Sequence, residues 1–166
     1  MAKPVKAHPE IDTMAMDIEA QLQQLLHHAP QDGKTPQLLE RAVIPVLRAY
    51  GAKMQHRDYY IMQNAQQRWV LTTLSNRATP QLEKKVVYGF SSPQDAVTFS
   101  GRGNPDLRPV ALPIMQILFQ LFAMKPVDSL VFFEQPGELS QGKEVKRQEL
   151  EALVQQQLRQ PPANFA

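Results

Sequence analysis

At Gly51 the hydrophobic pattern of this 166-residue chain changes period, and that change limits what it can fold into. Before Gly51, apolar side chains recur every three or four residues. After it the period is two, in runs at residues 58–63, 68–74 and 84–90. A chain that passes from helical to extended periodicity must pack helices on a sheet, so the expectation is an α+β domain.

In the helical part, Met14, Ile18, Leu22, Leu25 and Leu26 share one side of a first helix. Asp12 or Thr13 suits its N-cap, and Pro30 lies beyond its end. Thr35 and Pro36 supply an N-cap and a first-turn proline for a second helix that buries Leu39, Val43, Val46, Leu47 and Tyr50 and stops at Gly51. Pro45 falls inside that helix. It removes one backbone hydrogen bond and crowds the preceding turn, which predicts a kink or two shorter pieces.

Asp58–Gln63 and residues 68–74 are rich in Tyr, Ile, Trp, Val and Thr and are separated by Asn64, Ala65, Gln66 and Gln67, a hairpin-like spacing. The two runs are expected to pair antiparallel. Residues 84–90 give a third strand. Ser92, Pro93 and Asp95 then combine an N-cap, a first-turn proline and an acid at the third helical position, so a short helix should run to about Phe99. Residues 101–109 are a Gly-, Asn- and Pro-containing loop.

The most apolar stretch, residues 110–124, would reach only about 22 Å as a helix, short of the roughly 30 Å of a bilayer core, and it contains Gln116 and Gln120. A buried core helix follows. Ser129–Phe133 is a continuous apolar run that belongs in the sheet interior, and residues 143–160 close the chain with a helix burying Val145, Leu150, Leu153, Val154 and Leu158.

The resulting order is ααβββααβα, with a mainly antiparallel sheet of about four strands packed by about five helices. A chain of this length fits one domain, 1–166, with 1–11 and 161–166 as expected mobile tails. Its hydrophobic fraction of 43% and charged fraction of 20% are those of a globular, soluble protein.

Composition also narrows the chemistry. The absence of cysteine excludes disulfides, thiolate catalysis and sulfur-ligated metals, and suits a reducing compartment. With prolines and no apolar run near the start, no secretory signal is apparent, so a cytoplasmic location is expected. His27 and His28 are adjacent on a helix and point apart, unlike the i, i+4 pair that holds a metal; near a helix C-terminus they complement the dipole. His56, between Lys53 and Arg57, reads as solvent-facing or as part of a basic patch. No nucleophile elbow, P-loop or paired-acid motif is present, and Glu149 and Glu151 read as solvated charge. No catalytic residue, cofactor or metal site is assigned, and an enzyme is the less favoured reading.

Three surfaces stand out. Residues 41–108 hold 10 Lys or Arg against 4 Asp or Glu, a net +6 within a chain whose total is +2. Arg48, Lys53, Arg68, Trp69, Lys84 and Lys85 there have the basic and aromatic character that single-stranded nucleic acid needs. The glycines and arginines of residues 101–108 suit a phosphate or carboxylate. A third, apolar surface is the edge of the first helix at Ile11 and Met16.

The leading expectation is a non-catalytic protein-binding module, an adaptor, assembly factor or regulator within a larger complex, with Arg57, Tyr59, Arg102 and Arg108 as contact residues. A nucleic-acid-binding domain using residues 41–108 is the first alternative. A small-ligand protein or enzyme with a pocket near residues 101–108 is the second.

Overall fold

The period-two segments become the rows of an open, six-stranded mixed sheet, and most of the helical ones cover one of its faces. The computed structural model describes residues 16–76, 78–79, 81–101 and 103–160. The expected tails, the Asp12 or Thr13 start, Ile11 and Arg102 lie outside the described residues.

Helix α1 (Ile18–His28) is capped by Asp17, whose carboxylate accepts from the Ala20 N–H at 2.8 Å. The second helical region comes in pieces, as Pro45 requires. A short α2 (Thr35–Leu38) runs into a π-helical turn at Leu39–Val43 and resumes as α3 (Ile44–Gly51) with Pro45 in its first turn. The widened turn falls just before the proline, where the missing N–H breaks the regular ladder.

The strands are β1 (Asp58–Gln63), β2 (Thr72–Ser75), β3 (Glu83–Phe90), β4 (Arg108–Pro113), β5 (Ser129–Phe133) and β6 (Lys143–Lys146). They are ordered β4-β1-β3-β5-β6, with β2 also paired to β3. Four of the pairings are antiparallel, but β3 and β5 run parallel, so the expected mainly antiparallel sheet of about four strands is corrected to a six-stranded mixed one. The parallel pair arises because α4 (Pro93–Ala96), its π-helical continuation Val97–Gly101, β4 and α5 (Ile114–Leu121) carry the chain from the end of β3 back to the start of β5.

Two strands replace expected helix. Residues 108–113 were expected to be loop and helix start; they pair along β1 instead, since Pro113 disfavours helical geometry at Leu112 and leaves α5 to begin at Ile114. Residues 143–146 form β6 on the free side of β5, and only then does α6 (Arg147–Arg159) start. The expectation for Ser129–Phe133 holds: β5 lies between β3 and β6 with four of its five residues buried.

Alternation divides the sheet residues between two cores. Tyr59, Ile61, Val87, Leu130, Phe132 and Val145 face the main helices and pack with Leu22, Leu47, Ile117, Leu118 and Leu150. Met62, Phe90 and Phe133 face the other way onto Ala96 of α4, with Tyr60, Tyr88, Val70 and Leu107 around them. Gly89 makes the first core possible. A Cβ there would lie 2.7 Å from the Phe132 ring.

Candidate functional site

Strand β1 places side chains at both of its ends, and the two ends differ in character. Both β1 and β2 run antiparallel to β3, so they point the same way along it. Counting on from the Tyr60–Phe90 pair brings Gln63 level with Val87, while Thr72 pairs with Val86, the next position of β3. Residues 64–71 are therefore thrown out between successive rungs of one strand line. The hairpin expected between 58–63 and 68–74 is thus corrected: one bridge remains, Gln63 to Trp69, with the Val70 N–H donating to the Met62 carbonyl at 2.9 Å.

Asn64 shapes this excursion. Its side-chain oxygen accepts from the Gln66 and Arg68 N–H groups at 2.9 and 3.0 Å, and Gln67 takes a left-handed φ of 65°. The return leg splits between the cores, with Trp69 packed toward the helices and Val70 toward the opposite cluster. Arg68 and Leu71 stay exposed.

Strand β4 brings the second loop to the same place. Arg108 pairs with Gln63, so residues 103–107 enter the sheet beside the excursion. Arg108 and Trp69 flank Gln63 on either side, roughly 10 Å apart at two strand spacings, and share its face. On the opposite face Met62, Val97, Gly101, Pro105 and Leu107 line a shallow groove of about 290 Å³. Val97 and Phe99, in the π-helical turn, are 44% and 39% exposed, and Leu71 is 43% exposed. Such turns are rare and recur at functional positions. None of the described lining residues of the groove is titratable, which gives no footing to chemistry there.

The other end of β1 is a polar cluster. Tyr59 is wholly buried, and its hydroxyl donates to Glu134, the residue that follows β5. Glu134 also accepts from the Gln55 N–H at 3.3 Å and pairs with Lys143 Nζ at 3.2 Å. His56 sets Nε2 2.7 Å from the Glu134 carbonyl oxygen. His56 is thereby half-buried in a cluster, where sequence reading expects it to face solvent or a basic patch. Every strong donor here has an acceptor within the chain, so the cluster fastens the end of β5 to the starts of β1 and β6.

Burial, reinforced by Glu134, raises the Tyr59 hydroxyl above its usual range, and burial with Glu149 pushes Tyr50 up to about 12. A folded-state value above the unfolded one gives stability that is complete below about pH 10 and is lost as pH rises. Alkaline titration of stability should therefore fall by up to about 1.4 kcal/mol per pH unit for Tyr59 above roughly pH 10. Tyr59→Phe should shallow that limb in urea melts. An unchanged limb would assign it to other groups.

The residues singled out in the sequence thus separate. Arg108, Arg68 and Trp69 converge around Gln63. Arg57 is exposed but lies beside the start of β1, the full length of the strand away, and Tyr59 offers a partner no surface. Arg48 is held by Glu19 at 2.7 Å in the helical layer, and Lys84 pairs with Glu144 on the sheet. Lys53 sits over the Tyr50 ring, and the Lys85 N–H donates to Asp128. Glu149 and Glu151 are engaged as well, with Tyr50 and with Arg147 and Lys125. Among the described residues, no His, Asp and Glu group is arranged to hold a metal, and no helix is long and apolar enough to cross a membrane.

No protein-family model matches this chain, and no curated protein matches it either. The reading of function rests on the geometry.

Proposed function

We propose that this chain is a non-catalytic protein-binding module, an adaptor, assembly factor or regulator of a larger complex, and that it meets its partner with the sheet end built from residues 64–71 and 103–108. The observation that supports this most is the convergence at Gln63 of two loops from distant parts of the sequence, bearing exposed Arg68, Leu71 and Arg108, with exposed Val97 on the groove of the opposite face. Arginine is among the residues that protein interfaces enrich. The described lining of the neighbouring groove carries no titratable group.

Charge reversal tests the assignment. Arg68→Glu with Arg108→Glu should weaken partner capture at least about tenfold, while both exposed sites leave stability within about 0.5 kcal/mol. Capture at wild-type level would remove the sheet end from the interface.

A further inference from the structure

We infer that strand β2 pairs edge to edge with the β2 of a second copy of this chain, antiparallel, about a two-fold axis at Leu74; the partner reading above is not needed for it. What sets β2 apart is the backbone that each free edge of the sheet turns outward. Along a strand, successive residues turn their N–H and C=O groups to alternate sides. At β4 the Ile114 N–H donates to the Arg57 carbonyl at 2.9 Å, so by register Arg108, Val110 and Leu112 face β1 while Pro109, Ala111 and Pro113 face out. Two of those three have no N–H to offer. At β6 the Arg147 N–H donates to the Asp128 carbonyl at 2.9 Å, which turns Lys143 and Val145 toward β5 and leaves Glu144 and Lys146 outward. Proline and charge are the devices by which sheets close their edges to further strands.

Strand β2 has neither. On the β5 side, the Lys85 carbonyl accepts from the Asp128 N–H at 2.7 Å and the Lys85 N–H donates to Asp128 Oδ2 at 2.8 Å. Lys84 and Val86 therefore turn toward β2 and meet Leu74 and Thr72, which leaves Thr73 and Ser75 facing out. Among the described residues, no backbone hydrogen bond takes up the outward groups of these two. Residues 69–76 carry no charge, and Thr73, Leu74 and Ser75 are all exposed, Leu74 to 43%.

Symmetry selects the occupant. A two-fold axis at Leu74 sets Thr73 opposite Ser75 of the second copy and Ser75 opposite its Thr73, so the outward groups of both edges exchange four N–H···O bonds. Between them Leu74 meets its own equivalent at the close spacing of a non-hydrogen-bonded pair, about 4.5 Å between Cα atoms, and an exposed leucine from each copy leaves water. No like charges are brought face to face. So short a contact belongs with small, transient interfaces, and a dissociation constant on the order of 100 μM is expected.

The test combines sedimentation equilibrium with amide exchange by NMR on the full chain over a concentration series. Mass should rise toward the dimer, and the Thr73 and Ser75 amides should gain protection as it does, while those of Thr72 and Leu74, already bonded to β3, stay unchanged. Leu74→Lys and Leu74→Glu should each weaken self-association at least about tenfold, since like charges then stand directly opposite, and an equimolar mixture of the two should associate at least as tightly as wild type. A chain that stays monomeric to about 1 mM would overturn the inference. So would a dimer that leaves the Thr73 and Ser75 amides unprotected, which puts the contact elsewhere, or protection of both amides at every concentration, which puts another segment of the same chain on the edge. A mixture no tighter than either variant alone would overturn the pairing at Leu74.

Discussion

Replacing Gln21 by leucine is expected to lower the unfolding free energy by about 3 kcal/mol, or roughly 6 to 12 °C in Tm. Gln21 is only 2% exposed, yet each of its polar atoms has a partner. Nε2 donates to the Met16 and Arg57 carbonyls at 2.8 and 2.9 Å, and Oε1 accepts from the Met115 N–H at 2.9 Å. That last bond matters most. Met115 sits in the first turn of α5, whose N-cap position is Pro113 and has no side-chain cap of its own. One glutamine thus caps α5 while tying α1 to the backbone just before β1. Leucine fills the space but strands a buried N–H. Gln24→Leu, an exposed change on the same helix, should stay within about 0.5 kcal/mol. Urea denaturation of both variants separates the cases, and a Gln21→Leu loss below about 1 kcal/mol would contradict the capping role.

Removing the carboxylate of Glu134 should cost about as much. The side chain is 10% exposed and receives the Tyr59 hydroxyl, the Gln55 N–H and the Lys143 ammonium. Glu134→Ala leaves the Tyr59 hydroxyl buried without its acceptor, an expected loss of about 3 kcal/mol. Lys143→Met removes a partner that is 40% exposed, together with its bond to the Lys53 carbonyl at 2.6 Å, so about 1 kcal/mol is expected. The ordering is diagnostic in chemical denaturation. A larger loss for Lys143→Met would mean that the ion pair, rather than the buried hydroxyl contact, holds the cluster.

Neither Gln21 nor Glu134 stands out in the sequence, and the reason is physical. Gln21 lies in a Gln-rich helix among residues with the same helical preference, and only the arrival of α5 and β1 from far along the chain makes it a cap. Local signals read well where the chain itself closes the interaction. Ser92 accepts from the Asp95 N–H, Pro45 splits its helix, and the apolar run at Ser129–Phe133 is interior. They fail where a remote strand decides. Residues 143–146 carry helix-favouring Lys and Glu and become β6 because β5 offers an open edge. Residues 110–112 are apolar at a spacing that fits helix or strand, and pairing with β1 chooses strand.

The candidate site follows the same logic. Arg108, Arg68 and Trp69 each drew notice by residue type, yet their meeting at Gln63 depends on the β1–β4 register and on the excursion, and neither is a local property. The residues grouped with them in sequence, Arg57 and Tyr59, sit at the far end of the strand or inside the core.

The most direct test of the proposed interface is amide hydrogen exchange on the chain captured with its partner, compared with the chain alone. Protection gained at residues 64–71 and 103–108, with none gained on the exposed side of α6, is the result the proposal predicts. Protection confined to the helical layer, with the sheet end exchanging as in the free chain, would contradict it.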